Sequence, residues 1–76
     1  MINGVELRKQ FGRRIRYLRR LNDLTQNQLA ERTNYSTEYI SRIERGIGNP
    51  SFDTIAALAT ALDVEASTLF MFPPNV

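Results

Sequence analysis

The stretch TQNQLAERTNYSTEYISRIERG, Thr25 to Gly46, decides the fold, because two helix starts and two helix stops are written into it. Thr25 with Gln28 three residues on forms a T-x-x-Q capping box, in which each side chain satisfies a backbone N–H that the first helical turn leaves free. Leu29 and Ala30 give this short helix its apolar pair. Asn34 suits its end, since Asn tolerates the left-handed conformation that closes many helices. Only Tyr35 then intervenes before Ser36, a fresh N-cap. The helix that Ser36 opens runs to Arg45, buries Ile40 and Ile43, and stops at Gly46. Two short helices separated by about three residues have the spacing of a helix-turn-helix, although a generic helical hairpin explains the periodicity equally well.

The flanks are helical too. Upstream, Leu7, Phe11, Ile15 and Leu18 recur at spacings of four, four and three, one apolar stripe on a helix of about residues 5–22. Its other faces hold Arg8, Lys9, Arg13, Arg14, Arg16, Arg19 and Arg20, and Asn22-Asp23 reads as its stop. Downstream, Ile47-Gly48-Asn49-Pro50 is a loop, since the residue before a proline is pushed out of the helical region. Ser51 caps a fourth helix with the stripe Ile55, Leu58, Ala59 and Leu62, and Asp53 sits in its first turn, where the helix dipole favours an acid. Residues 66–71 make one or two further turns headed by Glu65 or Ser67, and Pro73-Pro74 ends regular structure in a frayed tail. No β-strand pattern appears. The expectation is an all-α, compact array of five helices forming a single domain over residues 1–76, with its core at about 5–72.

Seventy-six residues without Cys or His exclude disulfides, thiolate catalysis, Cys/His zinc sites and a Ser-His-Asp triad. No clustered inward carboxylates suggest an acid–base pair, so no catalytic residue, metal or cofactor is expected, and an enzyme is the weakest reading. Lack of Cys fits a reducing, cytoplasmic setting. The longest apolar-rich stretch, Ile55 to Leu62, is broken by Thr60 and too short for a signal peptide or a membrane span. The net charge of +2 hides an asymmetry: residues 1–45 carry all ten Lys/Arg against five acids, while residues 46–76 carry three acids and no base. A basic end suits a polyanion, and a solvated basic helix accounts for it equally well.

The segment Leu24–Val64 resembles the helix-turn-helix of Cro- and Xre-type phage repressors, through Leu24-Thr25-Gln26, Leu29-Ala30, Tyr39-Ile40-Ser41, Ile43-Glu44, Gly46 and Asn49-Pro50-Ser51. With Ile15-Arg16 and Leu18-Arg19 upstream, the resemblance covers about residues 10–70. Asp23 and Asn34 depart from it, standing at turn positions where the family more often has Gly. The resemblance implies a five-helix, lambda-repressor-like DNA-binding domain, with the helix-turn-helix over about residues 25–45. Its third helix fits the ~12 Å major groove. Ile40 and Ile43 must face the core, so Thr37, Glu38, Ser41 and Arg42 face outward, and with Ser36 they are the expected base readers. Arg42 suits a bidentate contact to guanine, Thr37 a thymine methyl, and Glu38 either a cytosine amine or a role in rejecting wrong sequences or orienting Arg42. By resemblance Gln26 clamps a phosphate from the head of helix two, and Tyr39 lies against the DNA backbone, with half-packing on the core as its alternative. Arg16, Arg45 and Asn49 join them as expected phosphate contacts. The resemblance also implies that Arg19 and Glu44 form a structural salt bridge beneath the DNA-facing surface. Arg13, Arg14 and Arg20 are read mainly as a solvated face.

Leu69, Phe70, Met71 and Phe72 cluster with no basic neighbour. Some must complete the core, but a short helix cannot bury all four, so they are the expected homodimer interface, with folding back within one protomer as the alternative. The functional expectation is a sequence-specific, double-stranded-DNA-binding transcriptional regulator, of repressor or restriction-modification-controller type, acting as a homodimer on a near-palindromic operator. Seventy-six residues leave no space for a ligand-sensing domain, so no small-molecule ligand is expected and regulation falls to concentration and dimerisation. An antitoxin-like protein that binds a hetero-partner through the same apolar end is the alternative. A membrane-surface role for the basic helix is disfavoured, because its apolar stripe is needed for the core.

Overall fold

A computed structural model describes residues 2–72. Within them lie four α-helices and one 3-10 turn, with no strand: α1 (Gly4–Leu21), α2 (Gln26–Thr33), α3 (Thr37–Glu44), α4 (Phe52–Ala61) and the turn Ala66–Phe70. The all-α expectation holds, and the fifth helix is corrected to a 3-10 turn. Glu65 stands at its N-cap position without a side-chain cap bond, and five residues are a usual length for the tighter 3-10 winding. The Pro73-Pro74 tail lies outside the described residues.

Local chemistry accounts for the boundaries. Thr25 and Gln28 form the reciprocal capping box, and Ser36 and Ser51 accept from the N–H groups of Tyr39 and Thr54. The same device, unforeseen, opens α1: the Asn3 side chain accepts from Glu6 N at 2.8 Å. Asp23 and Asn34, the two residues standing where Gly is commoner, adopt φ of 55° and 62°, the left-handed region open to short polar side chains. Gly46 has φ 76°, and a Cβ there would lie 2.8 Å from the Cα of Lys9.

The core joins all five elements. Phe11, Ile15 and Leu18 of α1 meet Leu29, Ile40, Ile43, Leu58, Leu62 and Leu69. Leu7, placed in the α1 stripe, is instead 36% exposed, and Ile55 is half-buried. At the α1–α3 crossing a Cβ on Gly12 would fall 2.4 Å from the carbonyl oxygen of Ile43 and 2.6 Å from that of Glu44. Two helical backbones therefore touch where no side chain fits. Among the described residues no helix is long and apolar enough to cross a membrane.

Candidate nucleic-acid interface

Beneath α3 the Glu44 carboxylate gathers three elements. Arg19 Nε donates to Oε2 at 2.6 Å and Arg19 Nη2 to Oε1 at 3.0 Å, while Arg19 Nη1 donates to the carbonyl of Leu24 at 2.7 Å. Gln26 Nε2 also donates to Oε1 at 3.0 Å, and Arg16 Nε stands 3.5 Å from the same oxygen. The Glu44 side chain is wholly buried and that of Arg19 is 10% exposed. Burial pushes the Glu44 pKa up; hydrogen bonds from Arg19 and Gln26, with the charges of Arg19 and Arg16, outweigh it, so the net shift is downward. The carboxylate is held ionised, and α1, the head of α2 and the end of α3 are locked together.

This lock occupies the inner side of α3, with Ile40 and Ile43 buried beside it. On the outer side Thr37, Glu38 and Arg42 are exposed and Ser41 is half-exposed. Arg42 has no side-chain partner among the described residues, so its guanidinium projects with all its donors uncommitted. Glu38 lies 3.6 Å from Arg45, whose Nε also donates to the Ser41 carbonyl at 3.3 Å. Ser36 is exposed, but its hydroxyl oxygen accepts from Tyr39 N. Thr37 donates to Asn27 Oδ1 at 3.0 Å.

The other expected backbone contacts are placed unevenly. Gln26 and Arg16 are part-buried with their polar ends on Glu44, leaving Gln26 a second amide proton and its carbonyl. Tyr39 is half-buried: its ring meets Tyr35 edge-on at 5.0 Å and its hydroxyl lies 3.1 Å from Thr54 Oγ1. Thr54, buried at the start of α4, donates to the Tyr35 hydroxyl and so receives the Tyr39 proton. The Tyr39 phenol thus has its proton turned inward and only acceptor capacity toward the surface. Asn49 is exposed on the loop before α4. Of the basic face of α1, Arg14 Nε donates to the Thr68 carbonyl at 3.0 Å, tying the 3-10 turn down, and Arg13 stands 3.6 Å from Glu6.

The apolar end divides. Leu69 is fully buried within the protomer, so it belongs to the core and has no surface to offer a partner. Phe70 rests on Phe11 with ring centroids 5.1 Å apart and remains 42% exposed, Met71 is 61% exposed, and Phe72 packs partly against the core. Phe70 also lines an apolar groove with Leu7, Phe11, Pro50 and Ile55. Phe52, the first residue of α4, which the sequence pattern did not single out, is 89% exposed.

Residues 15–69 match the helix-turn-helix (HTH_3) family. The chain is 45% identical over 58 residues to the immunity repressor protein of Bacillus phage phi105, spanning 76% of this chain but 40% of that repressor. It is 36% identical over 73 residues to the control protein C.BamHI of Bacillus amyloliquefaciens, spanning 95% of this chain and 88% of that one. The crystal structure of the restriction-modification controller protein C.AhdI from Aeromonas hydrophila superposes with a TM-score of 0.82 at 41% identity, covering 83% of this chain and 96% of that one.

Proposed function

Because the chain belongs to the helix-turn-helix (HTH_3) family, we propose that it is a sequence-specific double-stranded-DNA-binding transcriptional regulator of repressor or controller type. The α2–α3 pair is the helix-turn-helix, and α3 enters the major groove. One observation carries this reading: α3 is anchored on its inner side by Ile40, Ile43 and the Glu44 lock, while Thr37, Glu38, Ser41 and Arg42 share the free outer side. Arg42 reads a guanine edge. Gln26, with one amide proton uncommitted, and the exposed Arg45 and Asn49 hold phosphates, and Arg16 contributes from a half-buried position. Tyr39, its hydroxyl proton spent on Thr54, lies against the DNA backbone through its ring rather than by donating to a phosphate. The role belongs in the cytoplasm, on the nucleoid.

The protein acts as a homodimer on a near-palindromic operator, its recognition helices roughly 34–36 Å apart. Phe70 and Met71, exposed at this end, and the apolar groove that Phe70 lines support this, and Phe52 is a further exposed apolar side chain. The same surface suits a hetero-partner, as in an antitoxin, and co-purification of a second protein separates the two. Selection from random duplex DNA tests the main reading: a recovered palindrome reports sequence preference and half-site spacing together, and recovery of no preferred sequence refutes it.

A further inference from the structure

Asn27, to which the sequence pattern assigns no role, touches α3 at its first helical residue. Its amide bridges two partners: Nδ2 donates to Glu31 Oε1 at 3.1 Å, and Oδ1 accepts from the Thr37 hydroxyl at 3.0 Å. The chain of bonds has one direction. A carboxylate only accepts, so Glu31 draws the NH2 of Asn27 toward itself, and the Asn27 carbonyl oxygen is left facing α3. A hydroxyl holds a single proton, and Thr37 places it on that oxygen.

Thr37 is exposed at the first turn of α3, yet its proton is already committed. Guanine N7 and O6, adenine N7 and thymine O4 are all acceptors in the major groove, and Thr37 has nothing left to donate to them. Its oxygen keeps lone pairs that could accept from an adenine or cytosine amine, but the bond to Asn27 holds it toward α2, which leaves the methyl as the branch without a partner. The base-edge group that an apolar contact reads is the thymine 5-methyl. We propose that Asn27, oriented by Glu31, is a positioning residue that withdraws the Thr37 hydroxyl from the groove, so that Thr37 reads the 5-methyl group of one thymine in each half-site. The inference rests on the DNA-binding reading above and deepens it at one base pair.

The test uses the duplex recovered by selection and replaces each thymine in turn by uracil, which lacks only the methyl. The expected result is one position per half-site where the wild-type protein loses affinity about fourfold, the effect of one unburied methyl-sized group. Thr37→Ser keeps the hydroxyl and loses this sensitivity; Thr37→Val loses the hydroxyl and keeps it. Asn27→Ala frees the hydroxyl to rotate and blunts the discrimination, and adding Thr37→Val to Asn27→Ala restores it. A role of Asn27 in stability alone moves affinity for thymine and uracil duplexes together, which overturns the positioning role. Wild-type indifference to uracil at every position overturns the methyl reading while leaving DNA binding intact. Failure to recover any preferred duplex overturns the DNA-binding reading and this inference with it.

Discussion

Arg19 and Glu44, twenty-five residues apart, meet through two hydrogen bonds of 2.6 and 3.0 Å in a site where the carboxylate is fully buried. The pair holds the end of α3 against α1, and Gln26 ties the head of α2 to the same oxygen. Removing one partner leaves the other as an uncompensated buried charge. Glu44→Gln, similar in shape but neutral, is expected to cost about 3–5 kcal/mol. Urea denaturation measures this directly, and an unchanged midpoint would contradict a structural role for the pair.

Acid should act on the same contact. The folded-state pKa of Glu44 lies below its ordinary value of 4.5. Its contribution to stability is therefore complete above pH 4.5 and is lost as the pH falls below that value and through the folded pKa. Thermal melts of wild type should drop steeply in this window. Glu44→Gln, already without the charge, should show a shallower decline.

Gly12→Ala sets two backbone effects against each other. Alanine favours a helix interior by roughly 1 kcal/mol over glycine. Its Cβ, however, would stand 2.4 and 2.6 Å from two carbonyl oxygens that no rotamer change can move. Overpacking of this kind costs about 1–3 kcal/mol, and separating α1 from α3 also lengthens the Arg19–Glu44 bonds. The variant is expected to melt below wild type despite its better helix propensity.

Base reading and backbone holding should separate in binding assays. Arg42→Ala is expected to lose about 1–3 kcal/mol on the selected duplex and to relax preference at one base pair. Gln26→Ala should weaken binding to all sequences alike. It should also reduce stability by roughly 1.5 kcal/mol, because it removes a donor from Glu44. Competition binding with single-base variants distinguishes the two patterns; unchanged specificity in Arg42→Ala would show that the docking register is different.

Assembly is the fifth test. Met71→Glu and Phe52→Glu alter side chains that are 61% and 89% exposed, so each is expected to leave the melting temperature near that of wild type. Each should shift a dimer to monomer at tens-of-micromolar concentrations in light scattering, on the order of the effect of placing an unpaired charge in an apolar interface. A dimer that persists in both variants places the contact elsewhere.

What was legible in the chain was its local chemistry. The Thr25–Gln28 box, the Asn34 turn and the Ser36 and Ser51 caps each depend on residues three or four apart, so their spacing carries them. Arg19 with Glu44 was reached through resemblance rather than pattern, since nothing in a linear sequence joins positions twenty-five apart. Thr54 reads as an ordinary first-turn residue; only the tertiary fold turns it into the buried hub between Tyr35, Tyr39 and Ser51. Gly12 was silent for the same reason, its meaning lying in carbonyls of another helix. Gln26 and Arg16 are expected at phosphates from the resemblance; their attachment to Glu44 is a contact between elements that no spacing encodes. The 3-10 winding of Ala66–Phe70 was hidden because so short a piece offers no period to read.

The backbone seam at Gly12 has a consequence for motion. A helix held only by side chains can rock as rotamers exchange, on picosecond-to-nanosecond timescales. Where Gly12 lets the carbonyls of Ile43 and Glu44 rest against the α1 backbone, no rotamer lies between the two. The last turn of α3 and the middle of α1 should therefore tumble as one body, with amide order parameters near the ~0.85 of rigid backbone. Ser41 and Arg42, one turn before that seam, should accordingly move little with the backbone, so that mobility there resides in their side chains.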